Sequence, residues 1–281
     1  RFGSAEARTL PVIRSGEVVG TVTAAGHEGP REERDLSRAF RAPVDRQVPA
    51  VAMLHTQVGG ARGGEGHDRY APSELAFLQG AGFDYWALGH VHLRQELATS
   101  PGIHYPGNLQ GRSPRETGAK GGLLVEIPGP GLVPRTTFVE LAPIRWEVLE
   151  LGGGDGAGWP GRPGVAPETE GTGREAGGGT GDLQETLAEA RTVEQLLRLV
   201  EGAWTEARGQ DPGRGGTEWI LRLRLSGPSP LHRLLRDPAE AATLARQLEA
   251  RLGLLEVEVR TEHLRPALDV GQALERQDAA G

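Results

Sequence analysis

The sequence predicts an α/β protein, a two-sheet sandwich with helices outside, followed by a smaller α+β module. Three observations carry that prediction. Between Val48 and Leu88, apolar runs are separated by a loop and a helical segment, the β-loop-α-β succession that pairs strands in parallel. From Glu96 onward, apolar runs follow one another through tight turns with no helix between them. A stretch dominated by Gly, Pro, Glu and Thr, Gly152 to Gly181, separates this part from a second block of strands and helices. Such a segment buries too little apolar surface to order itself and reads as a flexible linker. The expected domains are therefore 1–151, a linker 152–182 and 183–281.

Element by element, Val18 to Ala25 is a short apolar strand after a Ser-Gly turn. Arg31 to Ala42 is charged and carries Leu36 and Phe40 four residues apart, which predicts a surface helix. Val48 to His55 is a buried strand leading into a Gly-rich loop that runs to Ala71. Pro72 to Gln79 predicts a helix with proline at its first position and glycines past its end. Phe83 to Leu88 is a second buried strand, and Gly121 to Ile127, Thr136 to Leu141 and Arg145 to Leu151 form an antiparallel run. Beyond the linker, Leu183 to Ala207 is helical, Trp219 to Leu225 alternates with Arg222 and Arg224, Pro238 to Leu252 is helical, and Leu255, Val257 and Val259 alternate again.

Composition narrows the chemistry. The 281 residues suffice for a sizeable core, while 43 Gly and 20 Pro against 37% hydrophobic residues describe a globular chain interrupted by loops. The chain has 0 Cys, which excludes disulfides, thiolate metal sites and thiol nucleophiles and fits a cytoplasmic setting. The net charge of −7 excludes a global basic field, so nucleic-acid contact would need a local arginine patch. Lys120 is the only lysine, a bias first attributed to GC-rich coding. No apolar run approaches the length of a membrane span. The chain begins with Arg1, and its one methionine, Met53, lies inside a strand pattern, so it reads as a piece of a longer protein.

The chemistry concentrates in three imidazoles. His55 ends one buried strand, and Gly89-His90-Val91-His92 ends the next. Neutral imidazole is a good ligand for Mn, Fe and Zn. In extended backbone, residues two apart point to one side, so His90 and His92 can serve neighbouring positions in a cavity. Strand ends of an α/β sheet are where such folds hold their ligands.

The same words in the same order occur in one family. They are Leu54-His55-Thr56, His67-Asp68-Arg69-Tyr70-Ala71-Pro72, Phe83-Asp84-Tyr85-Trp86-Ala87-Leu88-Gly89-His90-Val91-His92 and Tyr105-Pro106-Gly107-Asn108, with Gly111-Arg112 and Glu116 to Gly121 after them. The chain resembles the calcineurin-like metallophosphoesterases, in the bacterial DNA repair exonuclease branch of SbcD-like and YhaO-like proteins. The resemblance is strong from Val51 to Trp146 and visible again from Glu218 to Asp269, through Leu225-Ser226-Gly227-Pro228-Ser229-Pro230-Leu231-His232. It implies the C-terminal part of a four-layer α/β/β/α sandwich with a small α+β capping domain that touches DNA. It also implies two divalent ions, usually Mn2+, with His55 and His90 on one and His92 on the other. Hydrolysis would use water activated between the ions, with no covalent enzyme intermediate. A DNA substrate, a coiled-coil ATPase partner of SbcC or YhaN type and a homodimer follow from the same resemblance.

The family pattern has an earlier half that residues 1–50 lack: an Asp-x-His, a Gly-Asp whose carboxylate bridges the ions, and a Gly-Asn-His-Asp. His27 lies in Gly26-His27-Glu28 with no Asn before it and receives no role. No leaving-group histidine is identifiable. The expectation is a nuclease fragment that begins after those motifs and is inactive alone. Asn108, Arg112 and Arg115 are the candidate phosphodiester contacts, because arginine presents a fork to phosphate and their loop should return toward the ions. His67-Asp68 either lines the channel or orders the loop as an Asx turn. Arg222 and Arg224 either face DNA or form the wet face of a strand. Glu116 and Lys120 are expected to pair or cap, His104, His232 and His263 to be structural, and Trp86 and Trp146 to be core. Two other functions fit less well: a phosphoesterase acting on nucleotides or phosphoproteins, and a non-catalytic scaffold module.

Overall fold

A computed structural model describes residues 5–29, 32–41, 43–44, 46–62, 71–152 and 187–267. Most of the expected linker, His67-Asp68 and the C-terminal tail lie outside those residues. The chain divides into two compact units, Arg1–Gln110 with Ala119–Ala142, and Gly111–Gly118 with Pro143–Gly281.

The first unit is organised by a six-stranded sheet. Its strands are β1 (Arg8–Arg14), β2 (Glu17–Ala24), β3 (Ala50–His55), β6 (Tyr85–Gly89), β7 (Gln95–Thr99) and β8 (Gly102–Tyr105), in the order β1-β2-β3-β6-β8-β7. The centre, β2-β3-β6-β8, is parallel, and the flanking pairs β1-β2 and β7-β8 are antiparallel hairpins. Ser15 and Gly16 both have positive φ, 52° and 86°, the geometry that joins two twisted strands most tightly. A short parallel pair, β4 (Gln57–Val58) with β5 (Pro72–Ser73), follows the end of β3.

Alternation along β3 sorts the two faces. Ala50, Ala52 and Leu54 enter a core with Leu36, Phe40, Leu78, Phe83, Trp86, Leu88 and Ile103. Val51, Met53 and His55 point the other way, where Met53 is 44% exposed. Two buried polar groups in this core are matched: the Trp86 indole donates to the Leu78 carbonyl at 2.9 Å, and Asp84 accepts from the Ala50 amide at 2.7 Å.

Local structure departs from the sequence expectation at two helices. Among the described residues of Arg31 to Ala42 there is only a 3-10 turn, Leu36–Ala39, capped by the Asp35 carboxylate on the Ser37 amide. Pro72 is a strand residue, and helix α1 starts later, at Leu75–Gly80, with Glu74 before it. The pairing of β5 with β4 consumes the residues that would have begun the helix. The remaining strands of this unit, β9 (Gly121–Glu126) and β10 (Arg135–Glu140), form an antiparallel pair of their own. The described residues are thus mixed α/β with several sheets.

In the second unit, β11 (Ile144–Leu151), β12 (Glu218–Ser229) and β13 (Glu256–Pro266) form an all-parallel sheet in that order. Strand β11 precedes the Gly-rich stretch in sequence yet pairs with β12 beyond it, so it departs from both the expected antiparallel run and the expected boundary at 151. The three strands of this sheet are thus all parallel. Its helices are α2 (Val193–Gln210), α3 (His232–Leu235) and α4 (Pro238–Leu252). Residues 187–189 are helical, and helix α2 begins anew after Thr192, which forms a reciprocal capping box with Gln195. Helix α4 has Asp237 as its cap, Pro238 in its first turn and Gly253 at φ 64° beyond its end. Leu221, Leu223 and Leu225 of β12 pack with Leu196, Leu197, Val200, Leu244 and Leu248.

Candidate metal centre

Three adjacent parallel strands deliver imidazoles at their carboxyl ends. β3 ends at His55, β6 ends one residue before His90, and β2 ends three residues before His27. His55 lies in register with Gly89, and the Thr56 amide donates to the Gly89 carbonyl at 3.1 Å to close the two strand ends. The His55 and His90 rings stand 5.2 Å apart between centroids at 77° to one another. Gly89 makes that approach feasible, since a β-carbon there would lie 3.0 Å from His55 Nδ1. His90 has φ 102°, a region non-glycine residues rarely occupy, so backbone energy is spent on aiming this side chain.

His27 was not assigned from the sequence, yet it joins the cluster. Its Nε2 is 2.8 Å from the His55 carbonyl oxygen, and its ring is 5.3 Å from the His55 ring, edge to face. The signal available in the sequence was positional: a histidine just past the end of a third parallel strand. The segment after it is held by Arg34, which bonds Glu28 at 2.9 Å and Glu32 at 2.8 Å. Those Arg34 contacts hold the Glu32 carboxyl down at about 2.

Loss of solvent around the ring, then the charges of His90, His27 and His92, push the His55 pKa below its ordinary value. A ring kept neutral is a ring available as a ligand. His92 is therefore electrostatically coupled to the cluster. Its backbone is contacted by Gly107, where φ is 78° and a β-carbon would meet the His92 carbonyl oxygen at 2.9 Å. Only glycine satisfies both demands.

Two rings bonded to one ion through nitrogens at about 2.1 Å have centroids roughly 5 Å apart. The His55 and His90 centroids have a comparable separation of 5.2 Å. Among the described residues, however, no three His, Asp or Glu side chains are arranged to hold one ion.

The proposed phosphate contacts divide between the units. Asn108 belongs to the first unit and follows Gly107; its Nδ2 donates to the Gln110 carbonyl at 3.0 Å, and its Oδ1 is buried without a partner. Arg112 and Arg115 belong to the segment Gly111–Gly118 of the second unit. Glu116 accepts from the Arg112 amide at 2.7 Å, the capping role expected of it, and Ser113 Oγ accepts from the Arg115 amide at 3.3 Å. Arg222 and Arg224 are ion-paired across the sheet, to Glu258 at 2.6 Å and Glu150 at 2.8 Å, which is the wet-face reading of β12. His104 stacks on Tyr85 and lies 3.4 Å from Glu96. Trp86 is fully buried, and Trp146 is half-buried with Gly111 against its ring. No helix among the described residues is long and apolar enough to cross a membrane.

Residues 182–265 match the family model described as metallophosphoesterase YhaO, middle domain. The chain is also 35% identical over 127 residues to the uncharacterized metallophosphoesterase YhaO of Bacillus subtilis (strain 168). That alignment covers 45% of this chain and 30% of the relative, so the match spans under a third of the relative's length. Over these stretches the chain is similar to YhaO-like metallophosphoesterases.

Proposed function

We propose that this chain supplies the histidine half of a dinuclear centre in a metal-dependent phosphodiesterase that acts on DNA as a repair exonuclease. The observation that carries the reading is the apposition of His55 and His90 at 5.2 Å on neighbouring strand ends. Two divalent ions, Mn2+ by preference, would supply activated water and neutralise charge on the phosphate. In this reading His55 and His90 ligate one ion and His92 the other. The depressed pKa of His55 keeps its ring lone pair free at neutral pH. The strained backbone at His90 fixes its direction before any ion arrives.

The described imidazoles come with no carboxylate positioned to bridge two ions. We infer that the bridging ligands and the group that protonates the leaving oxygen come from other parts of the protein, and that this chain alone hydrolyses nothing. The substrate is taken to be DNA because a second folded unit follows the metal-binding one, an addition that a small ester does not require. Asn108, Arg112 and Arg115 are the proposed phosphodiester contacts; Arg222 and Arg224 are not, because their charge is already matched by glutamates. A coiled-coil ATPase partner, a homodimeric state and a cytoplasmic location belong to the same proposal.

The test is a manganese-supported assay of the full-length protein on linear duplex DNA and on bis-nitrophenyl phosphate. Degradation of the duplex is expected, with turnover abolished by His92→Ala. Activity confined to the small ester would overturn the DNA reading, and an undiminished rate in His92→Ala would overturn the ligand assignment.

A further inference from the structure

The chain leaves the sheet immediately after His55, and its last bond to the neighbouring strand is from the Thr56 amide to the Gly89 carbonyl. Beyond that point its backbone groups need other partners, because a buried amide or carbonyl left unpaired is costly. The β7–β8 hairpin provides several of them. Gln95 and Tyr105 lie directly opposite one another in that hairpin, and both are buried, Tyr105 completely. The Tyr105 hydroxyl donates to the Thr56 carbonyl at 2.7 Å and accepts from the Val58 amide at 2.9 Å. The Gln95 side chain accepts from the Arg62 amide at 3.0 Å and donates to the Arg62 carbonyl at 2.9 Å. Two facing side chains thus make four bonds to the seven residues that follow His55.

The same hairpin also touches the other histidine loop. Two residues beyond Tyr105, Gly107 lies against the backbone of His92 and Arg94, so close that a β-carbon would meet Arg94 N at 3.0 Å. One short segment, Tyr105-Pro106-Gly107, therefore fixes the backbone after His55 through a side chain and the backbone at His92 through its own main chain. A phenol suits the first task, since a single hydroxyl both donates and accepts.

We propose that the β7–β8 hairpin is a positioning clasp for the imidazole site, with Tyr105 its central residue. The role rests on the metal-site reading above for its purpose, but its geometry exists without an ion. Tyr105 touches no substrate or ion; it acts by holding the Thr56–Val58 bend so that the His55 ring stays over Gly89 and beside His90. Partners of this outer kind typically set metal affinity by factors of ten or more.

The experiment compares Tyr105→Phe with Trp86→Phe in the full-length protein. Trp86→Phe loses a buried bond to Leu78 in the same core and controls for general loosening. Two readouts are taken: the nuclear Overhauser contact between the His55 and His90 rings in metal-free protein, and Mn2+ affinity by calorimetry. Tyr105→Phe is expected to keep a cooperative thermal transition, to lose most of the ring contact, and to bind Mn2+ on the order of tenfold more weakly. Trp86→Phe is expected to keep both properties. Unchanged contact and affinity in Tyr105→Phe would refute the clasp, as would equal losses in Trp86→Phe. If the unsubstituted protein binds no Mn2+ yet loses the ring contact in Tyr105→Phe, the metal reading fails and the clasp stands. If Tyr105→Phe does not fold, Gln95→Glu, which keeps the acceptor for Arg62 and removes the donor, is expected to weaken the ring contact; an intact contact there would refute the clasp.

Discussion

Gly89 and His55 face one another across β6 and β3, and a β-carbon on Gly89 would stand 3.0 Å from His55 Nδ1. The absence of one methyl group is thus what lets the imidazole lie over its neighbour strand and reach His90. Gly89→Ala is expected to fold, since Gly89 is not among the glycines with positive φ, and to displace the ring. Mn2+ affinity should fall on the order of tenfold or more, read by calorimetry. Affinity equal to that of the unsubstituted protein would contradict this role.

His90 offers a separation of function from stability. At φ 102° a non-glycine residue carries strain of about 1–3 kcal/mol, which glycine avoids. His90→Gly should therefore raise the thermal midpoint, by about 1 kcal/mol in stability after glycine's own entropy cost of roughly 0.5–1 kcal/mol, while abolishing ion binding. His90→Ala should abolish binding without that gain. Scanning calorimetry of the two variants side by side checks the contrast, and a midpoint in His90→Gly no higher than in His90→Ala would contradict the strain.

Much of this site was legible in the sequence, and what was missed has physical reasons. The parallel strands β3 and β6 and their terminal histidines follow from unbroken apolar runs closed by glycine and polar residues. His27 was passed over because it lies three residues beyond its strand in a polar loop, where no periodicity marks it. β1 carries Leu10, Val12 and Ile13 around Pro11 but is exposed along its whole length, and the Ser15-Gly16 turn folds it onto β2. Among the described residues of the helix expected over Arg31 to Ala42 there is one 3-10 turn, begun by Asp35 as its cap. β11 shows the limit most clearly. Its residues read as a strand, but nothing local reveals that its partner lies beyond the Gly-rich stretch, at Glu218–Ser229.

Asp84 is predicted to be a structural carboxylate. It accepts from the Ala50 amide at 2.7 Å and from the Gly131 amide at 2.6 Å, tying the start of β3 to the turn before β10. Asp84→Ala leaves both amides without a partner and should cost about 2–4 kcal/mol. Asp84→Asn retains one acceptor and should cost less. Denaturant unfolding measures both, and a loss under 1 kcal/mol in Asp84→Ala, about the worth of one ordinary hydrogen bond, would contradict the role.

Glu147 makes the stability of the second unit pH-dependent. Burial raises its carboxyl pKa, opposed by the Val148 amide, with Asp211 adding to the rise and Arg145 opposing it. Between the unfolded pKa near 4.5 and the higher folded one, the native state holds the extra proton, so stability falls as pH rises through that window. Glu147→Gln keeps the acceptor for Val148 and removes the charge. It should raise the thermal midpoint at neutral pH, and the gain should vanish as pH falls toward 4.5. A gain independent of pH would contradict this.

The most direct measurement is pulsed electron spin resonance of Mn2+ bound to the full-length protein labelled with 15N-histidine. His55 and His90 are expected to couple to one ion, so His55→Ala and His90→Ala should each remove one imidazole nitrogen from its spectrum. A spectrum that neither substitution alters would mean the two rings, 5.2 Å apart, share no ion.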